Sequence, residues 1–260
     1  MTIDAPNWNL IRKLASAASA AYHAATVNDP HTGTQANIFV DGVDIVVAFR
    51  GSSEPKDFIL DARFLKSDLM YSRDGGEAEV HAGFIAAFDS VNEEVIKQVK
   101  NLLVLMPAAA IHITGHSLGG ALAQLCALEF VRQHLPVRAV VTFGSPRVGN
   151  KTFAALYNDS VTTSTEEIDG VEYFHSLKEI TFNVVNEGDP VPLLPPLLNG
   201  YRDAGTEFFL RRSGEVQVDP FIGFEIFTDV MGAISSWRNY RLGLLPNHFI
   251  AAYQERISKK

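Results

Sequence analysis

The stretch Ile111-His112-Ile113-Thr114-Gly115-His116-Ser117-Leu118-Gly119-Gly120-Ala121 limits the possible folds more than any other part of the chain. Residues 110–114 are a short β-type run, and residues 118 to about 134 read as a helix. The turn between them has the pattern G-x-S-x-G. A strand that feeds a helix through so tight a turn is the building unit of a sheet with helical crossovers. The two glycines are needed where side chains would collide with the neighbouring strand and helix.

The surrounding pattern repeats this unit. Residues 10–25 read as an Ala-rich helix. Apolar runs at 36–40 and 43–49 flank Asp41-Gly42, a strong hairpin signal. Residues 84–105 carry apolar side chains near the helical period, and Pro107 closes that helix. A buried strand is predicted at 137–143, a helix at 151–157, a polar connection at 158–170 and a strand at 180–185. After Pro190 the segment PVPLLPPLLNG reads as an ordered loop. Residues 206–210 and 215–218 look like a hairpin around Ser213-Gly214, and residues 221–236 are apolar with no clear assignment. The alternation predicts an α/β fold with a mostly parallel central sheet and helices on both faces. With 260 residues and no clear linker, residues 1–260 are read as one domain.

Composition narrows the function. The chain is 47% hydrophobic and carries a formal net charge of -8, so it has ample core material and gives no electrostatic reason to expect nucleic acid. Its single cysteine, Cys126, allows no intramolecular disulfide. The first residues lack a basic stretch followed by an apolar one, so no signal peptide is expected, and the compartment stays open between cytoplasm and a processed secreted form. No apolar run is long enough to predict a transmembrane helix.

The chemistry centres on Ser117. At the start of a helix its hydroxyl sits beside free backbone N–H groups that favour a developing negative charge, with the N–H of Leu118 a natural donor. A serine needs a base, usually histidine, oriented by a carboxylate, in the chain order Ser, acid, His for this kind of fold. Of the eight histidines, His134, His175 and His248 follow Ser117. His134 lies about 25 Å away along the predicted helix. His175 precedes the best acid, which leaves His248. Asp189 directly follows a predicted strand, on the sheet edge that carries Ser117, and Glu187 and Asp203 are its rivals.

Five ordered motifs then carry a resemblance. These are Phe49-Arg50-Gly51-Ser52, Val80-His81-Ala82-Gly83-Phe84, Gly115 through Ala123, Thr142 through Asn150, and Asp189-Pro190-Val191-Pro192. Together they resemble the class 3 lipase family of the α/β-hydrolase superfamily, typified by fungal triacylglycerol lipases. The resemblance implies a Ser117, Asp189, His248 triad and oxyanion donors from Ser52 and Leu118, with no cofactor and no metal. It also implies an acyl ester or glyceride substrate and transient contact with a lipid interface. Residues 53–61 align with the family's lid, and residues 219–247 form an apolar insertion that departs from the fungal pattern, as does the lack of paired cysteines. Leu193, Leu194, Leu197, Leu198, Phe221 and Phe224 could line an acyl groove or belong to the core. His81, His116 and Arg50 are expected to support the fold through buried hydrogen bonds. A feruloyl esterase or a phospholipase of the same fold is the alternative within enzymes, and a non-catalytic interaction module is the distant one.

Overall fold

The computed structural model describes residues 7–52, 66–68, 77–168, 171–220 and 246–260. The chain opens with α1 (Trp8–Ala20), whose N-cap Asn7 accepts the Leu10 N–H. Strands β1 (Val27–Asn28), β2 (Gln35–Asp41) and β3 (Asp44–Phe49) follow, the last two joined as an antiparallel hairpin at Asp41-Gly42. Next come β4 (Lys66–Asp68), β5 (Glu79–His81), α2 (Ala82–Leu105), β6 (Ile111–His116), α3 (Leu118–Arg132) and β7 (Val137–Phe143). The second half holds β8 (Gly149–Asn150), α4 (Lys151–Asp159), β9 (Val161–Ile168), β10 (Val171–Ser176), α5 (Leu177–Ile180) and β11 (Thr181–Asn186). Finally β12 (Tyr201–Arg202), β13 (Thr206–Leu210) and β14 (Val216–Val218) lead to α6 (Ile250–Ile257).

Among the described residues the main sheet runs β1-β2-β3-β6-β7-β11-β13-β14. Pairing is parallel from β3 through β13 and antiparallel at both edges. A strand buried on both faces must be apolar at every position, and β3 shows why this sequence accepts that place. Ile45, Val47 and Phe49 enter one core with residues of α2 and α3, while Val46 and Ala48 enter a second core with Ile11, Leu14 and Ala18 of α1 and Tyr253 and Ile257 of α6. Each fully buried Ile, Leu or Phe contributes roughly 1.5–3 kcal/mol. The two helix layers are thereby fixed to opposite faces, and the turns at the carboxyl ends of β6, β7 and β11 meet at one edge.

Three sequence expectations change. The polar connection expected at 158–170 is instead the end of α4 plus strand β9, which pairs antiparallel with β10. The strand expected at 180–185 is shifted to Thr181–Asn186, because Ser176 and Glu179 close a capping box that starts the short α5 first. The proline-rich loop does contain regular turns, 3-10 helices at Val191–Leu193 and Leu197–Asn199. The candidate lid at 53–61 and residues 221–245, including Phe221, Phe224 and most of the insertion expected at 219–247, lie outside the described residues.

Candidate active site

Ser117 follows the last residue of β6 and caps α3 with φ 57° and ψ -129°, a left-handed conformation that disfavours any residue but glycine. The conformation is held from both sides. The Ser117 N–H donates to the Phe143 carbonyl at 2.9 Å and the Ser117 carbonyl accepts from Gly120 at 2.8 Å. Glycine at 115 and 119 is obligatory by close approach: a Cβ on Gly115 would overlap the Gly119 carbonyl, and one on Gly119 would overlap the Phe49 carbonyl. The turn therefore lifts the serine side chain out of the strand line at the start of a helix.

His248 precedes α6 and presents its ring to Ser117. Its Nε2 lies 2.9 Å from the Ser117 Oγ, and its Nδ1 lies 2.8 Å from Oδ2 and 3.1 Å from Oδ1 of Asp189. Ser117 and His248 are fully buried, and Asp189 is 4% exposed, so the three groups interact away from bulk water. A carboxylate only accepts, so the histidine proton sits on Nδ1 and the Nε2 lone pair faces the serine hydroxyl. Asp189 comes from the loop just after β11, where its N–H donates to the Asn186 carbonyl and its Oδ1 accepts from the Val191 N–H. The rivals for the acid are engaged elsewhere. Asp203 accepts two hydrogen bonds from Arg147, and Glu187 accepts from the Arg212 N–H.

The remaining expected residues fall as follows. Leu118 is the first residue of α3, and Ser52 follows Gly51, where an added Cβ would come 3.2 Å from the Ser117 Cβ. Ser52 is partly exposed. His116 is buried and makes two hydrogen bonds, His81 caps α2 by accepting from Gly83, and Arg50 donates to Gln35, all in line with a supporting role. Leu193, Leu194 and Leu197 are half-buried, whereas Leu198 is 99% exposed and so belongs to no core.

Sequence reasoning missed two residues of this site. Tyr253, one turn into α6, donates from its hydroxyl to Asp189 Oδ2 at 2.6 Å and accepts from the Asn186 N–H. Burial and the neighbouring carboxylate push its pKa well above the usual value, so it remains a donor. Gly144, at the end of β7 with φ +58°, leaves room for the triad: a Cβ there would sit 2.7 Å from Asp189 Oδ2 and 3.1 Å from His248 Nδ1. Gly144 lies within the motif Thr142 through Asn150, but its place beside Asp189 and His248 follows only from the position of β7 between β6 and β11.

A mainly parallel sheet covered by helices on both faces, with a serine on a left-handed strand-to-helix turn, defines the α/β-hydrolase fold. A family model described as lipase (class 3) matches residues 46–199. The secreted mono- and diacylglycerol lipase 1 of Fusarium solani is 34% identical over 181 residues, covering 69% of this chain and 48% of its own length. Lipase A of Sodiomyces alcalophilus is 34% identical over 186 residues, 65% of this chain and 43% of its own. The chain thus spans under half the length of these two relatives. Among solved structures, the lipase of Rhizopus microsporus var. chinensis superimposes with a TM-score of 0.68 at 25% identity, covering 83% of this chain and 79% of that one. A triacylglycerol lipase whose catalytic centre is a serine-protease triad superimposes with a TM-score of 0.67 at 25% identity, covering 83% and 86%. The chain belongs to the class 3 lipase family.

Proposed function

We propose that this protein is a serine hydrolase that cleaves carboxylic esters through an acyl-enzyme, acting on glycerides or related acyl esters. The observation that carries the reading is the continuous hydrogen-bonded series Ser117 Oγ, His248 Nε2, His248 Nδ1, Asp189, closed by Tyr253. In this reading Ser117 attacks the ester carbonyl while His248 takes its proton, and Asp189 orients the imidazole and stabilises its cation. The N–H of Leu118 and the backbone N–H or hydroxyl of Ser52 receive the oxyanion. The tetrahedral intermediate expels the alcohol, which His248 protonates. Water, deprotonated by the same ring, then releases the acid. Besides the ester and water, each step uses only this chain's side chains and backbone.

Glycerides are favoured over more polar esters by the names of the relatives, which include a mono- and diacylglycerol lipase. Transient contact with a lipid surface is part of the proposal. It is supported by exposed Leu198 and Phe249, which come from the segments that follow Asp189 and His248. No helix among the described residues is long and apolar enough to cross a membrane.

The test is hydrolysis of p-nitrophenyl esters from acetate to palmitate, with and without a glyceride emulsion, by the native protein and Ser117→Ala. Activity that requires Ser117 and rises with chain length and emulsion supports the lipase reading. Preference for short or aromatic acyl groups with no gain from emulsion would move the assignment to a carboxylesterase or feruloyl esterase. Absence of Ser117-dependent turnover on every ester would remove the enzymatic reading.

A further inference from the structure

The ring of His116, the variable residue of the G-x-S-x-G turn, faces away from the reacting atoms yet touches the catalytic machinery from behind. It is buried, its ring centroid is 4.7 Å from that of His248, and its Nε2 lies 2.5 Å from the backbone carbonyl of His248. Its Nδ1 lies 2.8 Å from the hydroxyl of Tyr22, which follows α1. A carbonyl oxygen can only accept, so the proton of the ring is on Nε2. Burial and the neighbouring His248 hold the His116 pKa well below the usual range, so the ring is neutral and Nδ1 offers a lone pair. The Tyr22 hydroxyl, whose pKa burial pushes up to about 12, must then donate to that lone pair. One geometric fact, the carbonyl partner, fixes the direction of the whole series.

Tyr22 has a second contact that gives the series a purpose. Its hydroxyl packs directly against Gly51, where an added Cβ would overlap that oxygen. Gly51 precedes Ser52, the donor assigned above to the oxyanion. One phenol therefore connects the backbone beside Ser52 to the backbone of His248, through the residue just before Ser117. The His248 ring is already fixed at Nδ1 by Asp189. What His116 adds is a grip on the main chain from which that ring hangs.

We propose that Tyr22 and His116 are a positioning pair that sets the distance between the oxyanion donors, Ser117 and His248, with His116 held as the Nε2–H tautomer. Tyr22 lies outside the 46–199 span matched by the family model, so the pair joins the shared body of the fold to this chain's N-terminal helix. The inference rests on the proposed serine-hydrolase reading for its consequence, and on the carbonyl contact and burial of the ring for the tautomer.

Two measurements test it. Two-bond proton–nitrogen NMR on the native protein should place the His116 proton on Nε2, with the ring neutral from pH 8 down to pH 5; a proton on Nδ1 would overturn the assignment with no appeal to activity. In Tyr22→Phe, the rate at which a fluorophosphonate labels Ser117 and the kcat for ester hydrolysis should both fall at least tenfold while KM changes less than twofold, since mispositioning of reacting groups lowers the chemical step. The His116 Nδ1 resonance should also move to that of an unbonded nitrogen. A folded Tyr22→Phe protein that labels within twofold of native would refute the positioning role. Should this variant fail to fold, the native tautomer together with labelling of His116→Phe, judged by the same limits, decides the matter. A native protein that fluorophosphonate does not label at all would instead remove the serine-hydrolase reading and leave the tautomer result standing.

Discussion

Replacing Gly144 by alanine adds one carbon at the centre of the triad. The new Cβ would lie 2.7 Å from Asp189 Oδ2, 2.9 Å from the Tyr253 hydroxyl and 3.1 Å from His248 Nδ1. Each of these atoms is already bonded to another in the group, so none can retreat alone. Carbon and oxygen settle near 3.5 Å, which requires shifts of roughly half an ångström or more in the Asp189–His248 pair. The backbone adds its own penalty, because φ at 144 is +58° and an L-residue there costs about 1–2 kcal/mol. Overpacking adds about 1–3 kcal/mol, for a total loss of stability of about 2–5 kcal/mol. The displaced imidazole should lower kcat/KM on the order of 10²-fold. Gly33→Ala separates the two contributions, since Gly33 has φ +70° but nothing within 4 Å of its added Cβ. It should lose only about 1–2 kcal/mol and keep full activity. Urea midpoints and p-nitrophenyl butyrate kinetics on native, Gly144→Ala and Gly33→Ala proteins make the comparison. If Gly144→Ala loses no more activity than Gly33→Ala, the triad does not depend on the space this glycine leaves.

Two further expectations concern strain and pH. Ser117→Gly should be inactive yet more stable than Ser117→Ala by about 1 kcal/mol, because only glycine relieves φ 57° with ψ -129°; equal urea midpoints for the two variants would contradict stored strain at the turn. Because His116 is kept neutral in the folded state while its unfolded form titrates near 6.5, the unfolded chain binds the extra proton, and stability must fall as pH drops below that value. For a ring that stays neutral when folded, the loss between pH 7.5 and 5 is about 2 kcal/mol. His116→Gln should lack this increment in urea titrations at the two pH values, and an identical pH dependence in both proteins would exclude the mechanism.

The parts of the site visible in the sequence were those encoded locally. Gly115 through Gly119 carries its own turn geometry, and Asp189 was placed by the strand before it. His248 was reached through chain order rather than any signal of its own. Tyr22, Gly144 and Tyr253 were hidden because their importance lies in partners far along the chain: Tyr22 meets His116 across 94 residues, and Tyr253 meets Asp189 across 64. The β9–β10 hairpin was missed for a different reason. Its polar composition suggested a loop, yet Val161, Thr162, Thr163, Thr165 and Ile168 are β-branched, and Asp169-Gly170 is the same dipeptide that marked the hairpin at Asp41-Gly42. Most helix boundaries shifted by a turn or less, as where the capping side chain of Glu179 decides a start, but the first helix, expected at 10–25, ends at Ala20.

The docking of α6 against α1, with Gln254 donating to the Ala15 carbonyl and Tyr253 and Ile257 sharing a core with Ile11 and Leu14, has a consequence in time. On the proposed serine-hydrolase reading, Ser117 precedes its base, His248, by 131 residues. During synthesis the strained turn can form on the order of ten seconds before His248 has been translated, at typical elongation rates. Throughout that interval the serine has no proton acceptor. Under that reading reactivity waits for α6 to close over α1, so a chain still leaving the ribosome would carry its nucleophile in a chemically silent form.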